Sequence, residues 1–215
     1  DSGPRLYNGA GASPATAEWY PFKAAWLREH EPETYRKAAH LVDAPDWVTF
    51  KLTGEWTTNI NSAAIRMYYN RDKGGWPEDF YQTIGCGDVF DKIPERVLDL
   101  GTPVGTLATI PAQLLGLRPG IPVAQGLADA WAGQIGLGVL SAGSMALITG
   151  SSHVLTGQAD TEIHGEGFFG AYPDGVMPGQ YTVEASQVST GSVLKWFKDN
   201  FVADYTAAAE KIGLN

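Results

Sequence analysis

An apolar run that halts at a single carboxylate sets the tightest limit on how this chain can fold. Residues 122–138, Pro-Val-Ala-Gln-Gly-Leu-Ala-Asp-Ala-Trp-Ala-Gly-Gln-Ile-Gly-Leu-Gly, place Asp129 where a short apolar stretch gives way to a helix of small residues, close to glycines that let a ligand approach. A strand must end and a helix begin within a few residues of a group that can work as a base. Downstream, Ser144-Met145-Ala146-Leu147-Ile148-Thr149 runs into Gly150-Ser151-Ser152, a small, hydroxyl-bearing turn whose backbone N–H groups can hold phosphate oxygens. A base and a phosphate turn in succession point to phosphoryl transfer.

Ahead of this region the spacing predicts a helix over Ala17–His30, with Trp19, Phe22, Trp26 and Leu27 recurring, then Pro32 and a shorter helix around Glu33–Ala38. Pro45 suits the first turn of a helix through Trp47, Phe50 and Leu52, stopped by Gly54 at C′. Asn59–Tyr69 is ambiguous. Pro77–Ile84 reads as a short helix, followed by Cys86 and a connection punctuated by Pro94 and Pro103. Ala108–Leu115 is predicted helical and Ile121–Ala124 a short buried strand, and the Asp129 helix carries Ala128, Ala132 and Ile135 at i, i+4, i+7. Beyond it come a hairpin over 144–157, a Gly- and Pro-rich loop over Gly165–Gly179 and a strand at Tyr181–Ala185. A helix over Thr190–Phe201 presents Val193, Leu194, Phe197 and Phe201 on one face, and Tyr205–Ile212 forms a last helix.

Composition narrows the partners. With 44% hydrophobic residues, 7 of them Trp, the 215 residues can bury a sizeable core, as one large domain or parts of two. A net charge of −9 works against nucleic acid or anionic membrane as partner, since both reward clustered Lys and Arg. Cys86 is the single cysteine, which leaves no internal disulfide, and His30, His40, His153 and His164 show no zinc-ligand spacing. No apolar run reaches the length of a membrane span, and Asp1-Ser2-Gly3-Pro4-Arg5 lacks the basic and apolar regions of a signal peptide. A soluble protein of the reducing cytoplasm is expected.

Several segments, in order, resemble the FGGY family of carbohydrate kinases. Pro21-Phe22-Lys23-Ala24-Ala25-Trp26-Leu27 is similar to its Pro-x-Lys-x-x-Trp-Leu segment, with Ala24 in place of the usual larger apolar residue. Pro45-Asp46-Trp47 with Leu52-Thr53-Gly54 resembles its Asp-aromatic…Leu-Thr-Gly helix, and Gly116–Val123 through Gly126-Leu127-Ala128-Asp129 the segment that delivers the catalytic aspartate. Gly150-Ser151-Ser152 resembles the family's Gly-Thr-Ser phosphate turn, with serine for threonine. Glu184-Ala185-Ser186-Gln187-Val188-Ser189-Thr190-Gly191 is closer to ribulokinase-type members than to glycerol kinases.

The resemblance implies an α/β fold of two ribonuclease-H-like domains, of the actin and hexokinase type, closing on sugar and ATP. Both domains are expected to be incomplete: residues 1–139 as the later part of the N-terminal sugar-binding domain, 140–215 as the first part of the C-terminal nucleotide-binding domain. The Asp-x-Gly-Thr phosphate loop and the Gly-Gly adenosine motif have no counterparts here, Asp1-Ser2-Gly3 being a chance imitation followed by Pro4. The implied reaction is ATP-dependent phosphorylation of a terminal hydroxyl of a ketose or polyol, ribulose-like first and xylulose next. Magnesium arrives with the nucleotide, and no metal site of the chain's own is expected. Expected partners are the small-molecule sugar and ATP, with a homodimer as an allowed assembly. The rival class is a non-catalytic sugar-binding or interaction protein that keeps part of the scaffold.

Each candidate residue has a plainer reading beside the chemical one. Asp129 is the expected base, or a helix cap; Gly150, Ser151 and Ser152 contact phosphate, or form a tight hairpin turn. Arg66 and Glu184 address sugar hydroxyls, or are surface and edge charges. Gln187 and Gly191 belong to the expected nucleotide site, and the helix opening at Ser189-Thr190-Gly191 aims its N–H groups at phosphate or ribose, or is simply capped by Ser189 or Thr190. Trp131 is a candidate for sugar contact, whereas Trp19, Trp26, Trp47 and Trp196 are expected in the core. Lys23 and Asp46 carry no assigned role.

Overall fold

A computed structural model describes residues 17–213, so Asp1-Ser2-Gly3 lies outside the described residues. The first part runs α1 (Tyr20–His30), α2 (Pro32–Lys37), α3 (Ala44–Thr53), β1 (Thr58–Asn59), α4 (Ile60–Arg66), α5 (Glu78–Thr83) and β2 (Val97–Leu98). It continues through β3 (Pro103–Thr106), α6 (Thr109–Leu115), β4 (Pro122–Ala124) and α7 (Asp129–Gly136). The remainder is β5 (Met145–Thr149), β6 (His153–Ala159), β7 (Gly170–Pro173), β8 (Tyr181–Gln187), α8 (Gly191–Phe201) and α9 (Ala203–Lys211).

Local chemistry accounts for most of these boundaries. Pro45 lies in the first turn of α3, and Gly54 ends that helix in the left-handed region at φ 84°. The ambiguous segment, Asn59–Tyr69, is the end of β1 followed by α4. Asn59 caps α4 by accepting a 2.7 Å hydrogen bond from the Ser62 N–H. Residues 60–65 of that helix are all buried, so no polar face exists to mark a period.

Among the described residues the strands form three sheets. β1 and β2 pair in parallel, β3 and β4 antiparallel, and β5–β8 form an antiparallel sheet in the order β5-β6-β8-β7. The turn Gly150-Ser151-Ser152 joins β5 to β6, with Thr149 opposite His153, and His153 in turn opposite Gln187 of β8. One apolar cluster, around Tyr20, Met67, Tyr81 and Val89, holds the first helices together. A second, of Ala64, Ile65, Trp131, Tyr172 and Val176, joins α4 and α7 to β7. Ala159, Ala171 and Val183 form a third within the large sheet.

The structure corrects five expectations. Helix α1 starts at Tyr20 rather than Ala17, and its inward face is Tyr20, Pro21 and Ala24. Trp19 is buried, but Trp26, Trp47 and Trp196 are each more than half exposed. β4 pairs only with β3, and its residues are exposed or half-buried rather than core. On α7 the buried residues are Trp131 and Gln134, while Ala132 and Ile135 face outward. The loop expected over Gly165–Gly179 contains β7, all four of whose residues are buried.

The start of α8 docks on the hairpin turn. Thr190 and Ser192 both donate backbone N–H bonds to the Ser151 carbonyl, at 3.0 and 3.4 Å. A Cβ on Gly191 would lie 2.5 Å from the Gly150 carbonyl oxygen, a backbone atom with no freedom to yield. Gly191→Ala is therefore expected to destabilise the protein by about 1–3 kcal/mol through overpacking. Gly136→Ala, where a Cβ meets open space at the end of α7, is expected to be neutral or slightly stabilising. Urea unfolding of the two variants checks the contrast.

Candidate active site

Four of the candidate residues, brought from three elements, line one cavity of about 420 Å³: Arg66, Asp129, Trp131 and Glu184. Lys23, Asp43, Asn61 and Ser62 share its walls. Asp129 is the first residue of α7, and Ala128, not Asp129, is its N-cap. One Asp129 oxygen accepts the Ala130 N–H at 2.8 Å, and no ion pair involves it among the described residues. The carboxylate is exposed, so its second oxygen is open to an incoming hydroxyl.

Arg66 and Glu184 face each other across the cavity floor. Both guanidinium nitrogens lie 3.4 Å from the two carboxylate oxygens, and the fully buried Tyr172 donates its O–H to Glu184 at 2.9 Å. The guanidinium also sits over the Trp131 ring, 5.3 Å from its centroid. Burial disfavours the Arg66 charge, but Glu184 and Tyr172 outweigh it and the net shift is upward, so Arg66 stays cationic. The Trp131 indole nitrogen is buried with no hydrogen-bond partner among the described residues, a donor left over at the edge of a polar cavity.

The other candidates meet at the end of the large sheet where β5 turns into β6. Gly150, Ser151 and Ser152 form the turn, Gln187 ends β8 and Gly191 opens α8. The Gly150 N–H is already committed to the Ser152 carbonyl at 2.8 Å, whereas Ser151 and Ser152 donate no backbone hydrogen bond among the described residues. Gly150 has no positive φ and its added Cβ would meet only ordinary contacts, so the glycine that the packing demands here is Gly191. The expected side-chain cap on α8 is absent. Thr190 is the N-cap residue, and its hydroxyl pairs instead with His153 Nδ1 at 2.8 Å.

Sequence reasoning missed Asn61, Tyr172 and His153 as parts of this arrangement. Asn61 donates to the Gly175 carbonyl at 2.8 Å and accepts from the Ala128 N–H at 3.4 Å, joining α4 to the residue before Asp129. Its setting, Thr57-Thr58-Asn59-Ile60-Asn61-Ser62, is polar and gives no signal of burial. Asp46 and Lys23, both unassigned, fall in different places: Lys23 lines the cavity, while Asp46 is buried behind it.

Residues 11–136 match the FGGY family of carbohydrate kinases, N-terminal domain. The chain belongs to this family. As an FGGY-family chain it is 31% identical over 206 residues to a ribulokinase of Anoxybacillus flavithermus, covering 93% of this chain and 36% of that protein. It is 32% identical over 200 residues to an FGGY carbohydrate kinase domain-containing protein of Xenopus laevis, covering 83% and 36%. Among solved structures it resembles a xylulose kinase from Rhodospirillum rubrum, with TM-score 0.76 at 23% identity over 91% of this chain and 39% of the other. A glycerol kinase from Plasmodium falciparum with ADP gives TM-score 0.75 at 17% identity over 97% and 42%. The fold is thus the α/β fold of the ribonuclease-H-like kinase superfamily. The chain spans about a third of the length of the curated relatives it matches. Among the described residues no helix is long and apolar enough to cross a membrane.

Asp46 gives the site's structure a pH signature. Its carboxyl is pushed up to about 6, chiefly by burial and against the hydrogen bonds from Asn59 and Gln125. A raised carboxyl means that the folded state holds a proton which the unfolded chain releases. The stability from Asp46 is fully present below its ordinary value near 3.8 and is lost as pH rises through about 6. Asp46→Asn is expected to flatten that part of the stability profile, by on the order of 2 kcal/mol between pH 4 and 7. Urea unfolding at a series of pH values measures it.

Proposed function

We propose that this protein takes part in ATP-dependent phosphorylation of a terminal hydroxyl of a ketose or polyol, with ribulose-like sugars first and xylulose next. The observation that carries the reading is the convergence of Asp129, Arg66, Trp131 and Glu184 on one cavity, walled in part by a sheet that ends in a phosphate-type turn. On this reading residues 1–139 belong to the sugar-binding domain and 140–215 to the nucleotide-binding domain. The ribulokinase among the relatives supports the choice of sugar.

The proposed chemistry follows from charge and geometry. A sugar in the cavity meets Arg66 and Glu184, which bond to hydroxyls, and the unpartnered Trp131 N–H, which adds a donor. Its reacting hydroxyl approaches the open oxygen of Asp129. As the new oxygen–phosphorus bond forms and the bond to the leaving diphosphate breaks, Asp129 accepts the hydroxyl proton. The free N–H groups of Ser151 and Ser152 suit phosphate oxygens of ATP, and Gln187 and Gly191 complete that side. Magnesium, carried with the nucleotide, neutralises phosphate charge.

In the native-length protein Asp129→Asn is expected to lower kcat by about 10²–10⁴ while sugar affinity stays within a few-fold. The amide keeps the shape and cannot take the proton. Sugar-dependent ADP release, with sugar titrated by tryptophan fluorescence, checks the split; near-normal turnover in the folded variant would remove Asp129 as base. The 215 residues assayed alone are expected to release no ADP on addition of ribulose or xylulose. This follows from the share of the relatives' length that the chain represents, and steady release would contradict it.

A further inference from the structure

Three walls of the cavity meet at one buried oxygen atom behind it. Asp46 Oδ1 accepts the Asn59 backbone N–H, the Asn59 Nδ2 and the Gln125 Nε2, each at 2.9 Å. Asp46 itself is 1% exposed and has no cationic partner among the described residues. It sits in α3, whose opening residues Ala44 and Pro45, with Asp43 before them, line the cavity. Asn59 caps α4, which carries Arg66. Gln125 lies four residues before Asp129, and its Oε1 accepts the Thr57 hydroxyl at 2.8 Å.

A buried, unpaired carboxylate is a costly way to stabilise a fold, since an apolar side chain of similar size fills the same space without desolvation. What the carboxylate supplies is direction: one oxygen fixes three donors from two separate segments relative to α3. Asn61 adds a second tie, from α4 to the Ala128 N–H. We propose that Asp46, acting through Gln125 and Asn59, is a positioning residue that sets the placement of Asp129 relative to Arg66. The role in turnover rests on the kinase reading above; the anchoring itself does not.

The test uses Gln125→Met, Asp46→Asn and Asp46→Leu in the native-length protein. Gln125→Met removes the amide and keeps the chain length, leaving the Asn59 bonds in place, so it is the variant least exposed to a folding failure. It is expected to lower kcat tenfold to a hundredfold, as a small misplacement of a reacting group does, with the KM for ATP within about twofold. Asp46→Asn, which keeps an acceptor oxygen, is expected to retain more turnover than Asp46→Leu. Backbone hydrogen exchange over 125–131 is expected to quicken in Gln125→Met, with the β5–β6 hairpin unchanged. Unchanged exchange over 125–131 overturns the proposal, as does a kcat that stays at the wild-type value while exchange rises. A wild-type protein that phosphorylates no ketose or polyol, ribulose and xylulose included, defeats the kinase reading alone, and the exchange measurement then decides the anchoring.

Discussion

The ion pair between Arg66 and Glu184 joins residues 118 apart in sequence and closes the cavity floor between α4 and the large sheet. Its contribution to stability is modest in itself, because the contacts are long and Arg66 remains one-third exposed. Its value lies in what surrounds it. Tyr172 donates to the carboxylate and the Trp131 ring lies under the guanidinium, so each member is held by a buried group. Loss of either charge would leave the other in a partly desolvated place.

The apolar cluster beneath explains why that pair can be held so. Ala64 and Ile65 of α4, Trp131 of α7 and Tyr172 and Val176 around β7 pack together. Helices α4 and α7 supply both polar groups of the cavity and members of this cluster, and Ile65 and Trp131 belong to both. The far end of the chain differs: Val193, Leu194, Phe197 and Phe201 form the expected stripe on α8, yet all are at least half exposed among the described residues. The period fixed the helix and its face correctly, while nothing among these residues covers that face.

Several residues and elements around the cavity were legible, because they sit at junctions that announce themselves. Asp129 stands where apolar residues stop, α3 is bracketed by Pro45 and Gly54, and the hairpin about Gly150 follows from two apolar runs and a small turn. The rest was hidden for physical reasons. Helix α4 is buried on every side and so shows no amphipathic period. β7 sits within a stretch of Gly and Pro that reads as loop, and with it went Tyr172. Tryptophans at helical spacing were expected inside, but Trp26 stacks on His30 at the surface, and Trp47 lies beneath Lys51. Size and spacing say that an aromatic ring has found a neighbour; they do not say that the neighbour is core.

The polar ties behind the cavity show the same division between what local pattern reveals and what only the fold brings together. Asp46, Asn59, Thr57 and Gln125 are scattered over 80 residues, and none stands out alone. Folded, they are joined by hydrogen bonds through Asp46 Oδ1 and Gln125 Oε1, and all are 3% exposed or less. An apolar core tolerates exchange of one side chain for another of similar volume. A set of directional bonds to one oxygen does not, since each missing partner leaves a buried group unsatisfied. Directional bonds of this kind are the means by which backbone segments from distant parts of the chain keep one register.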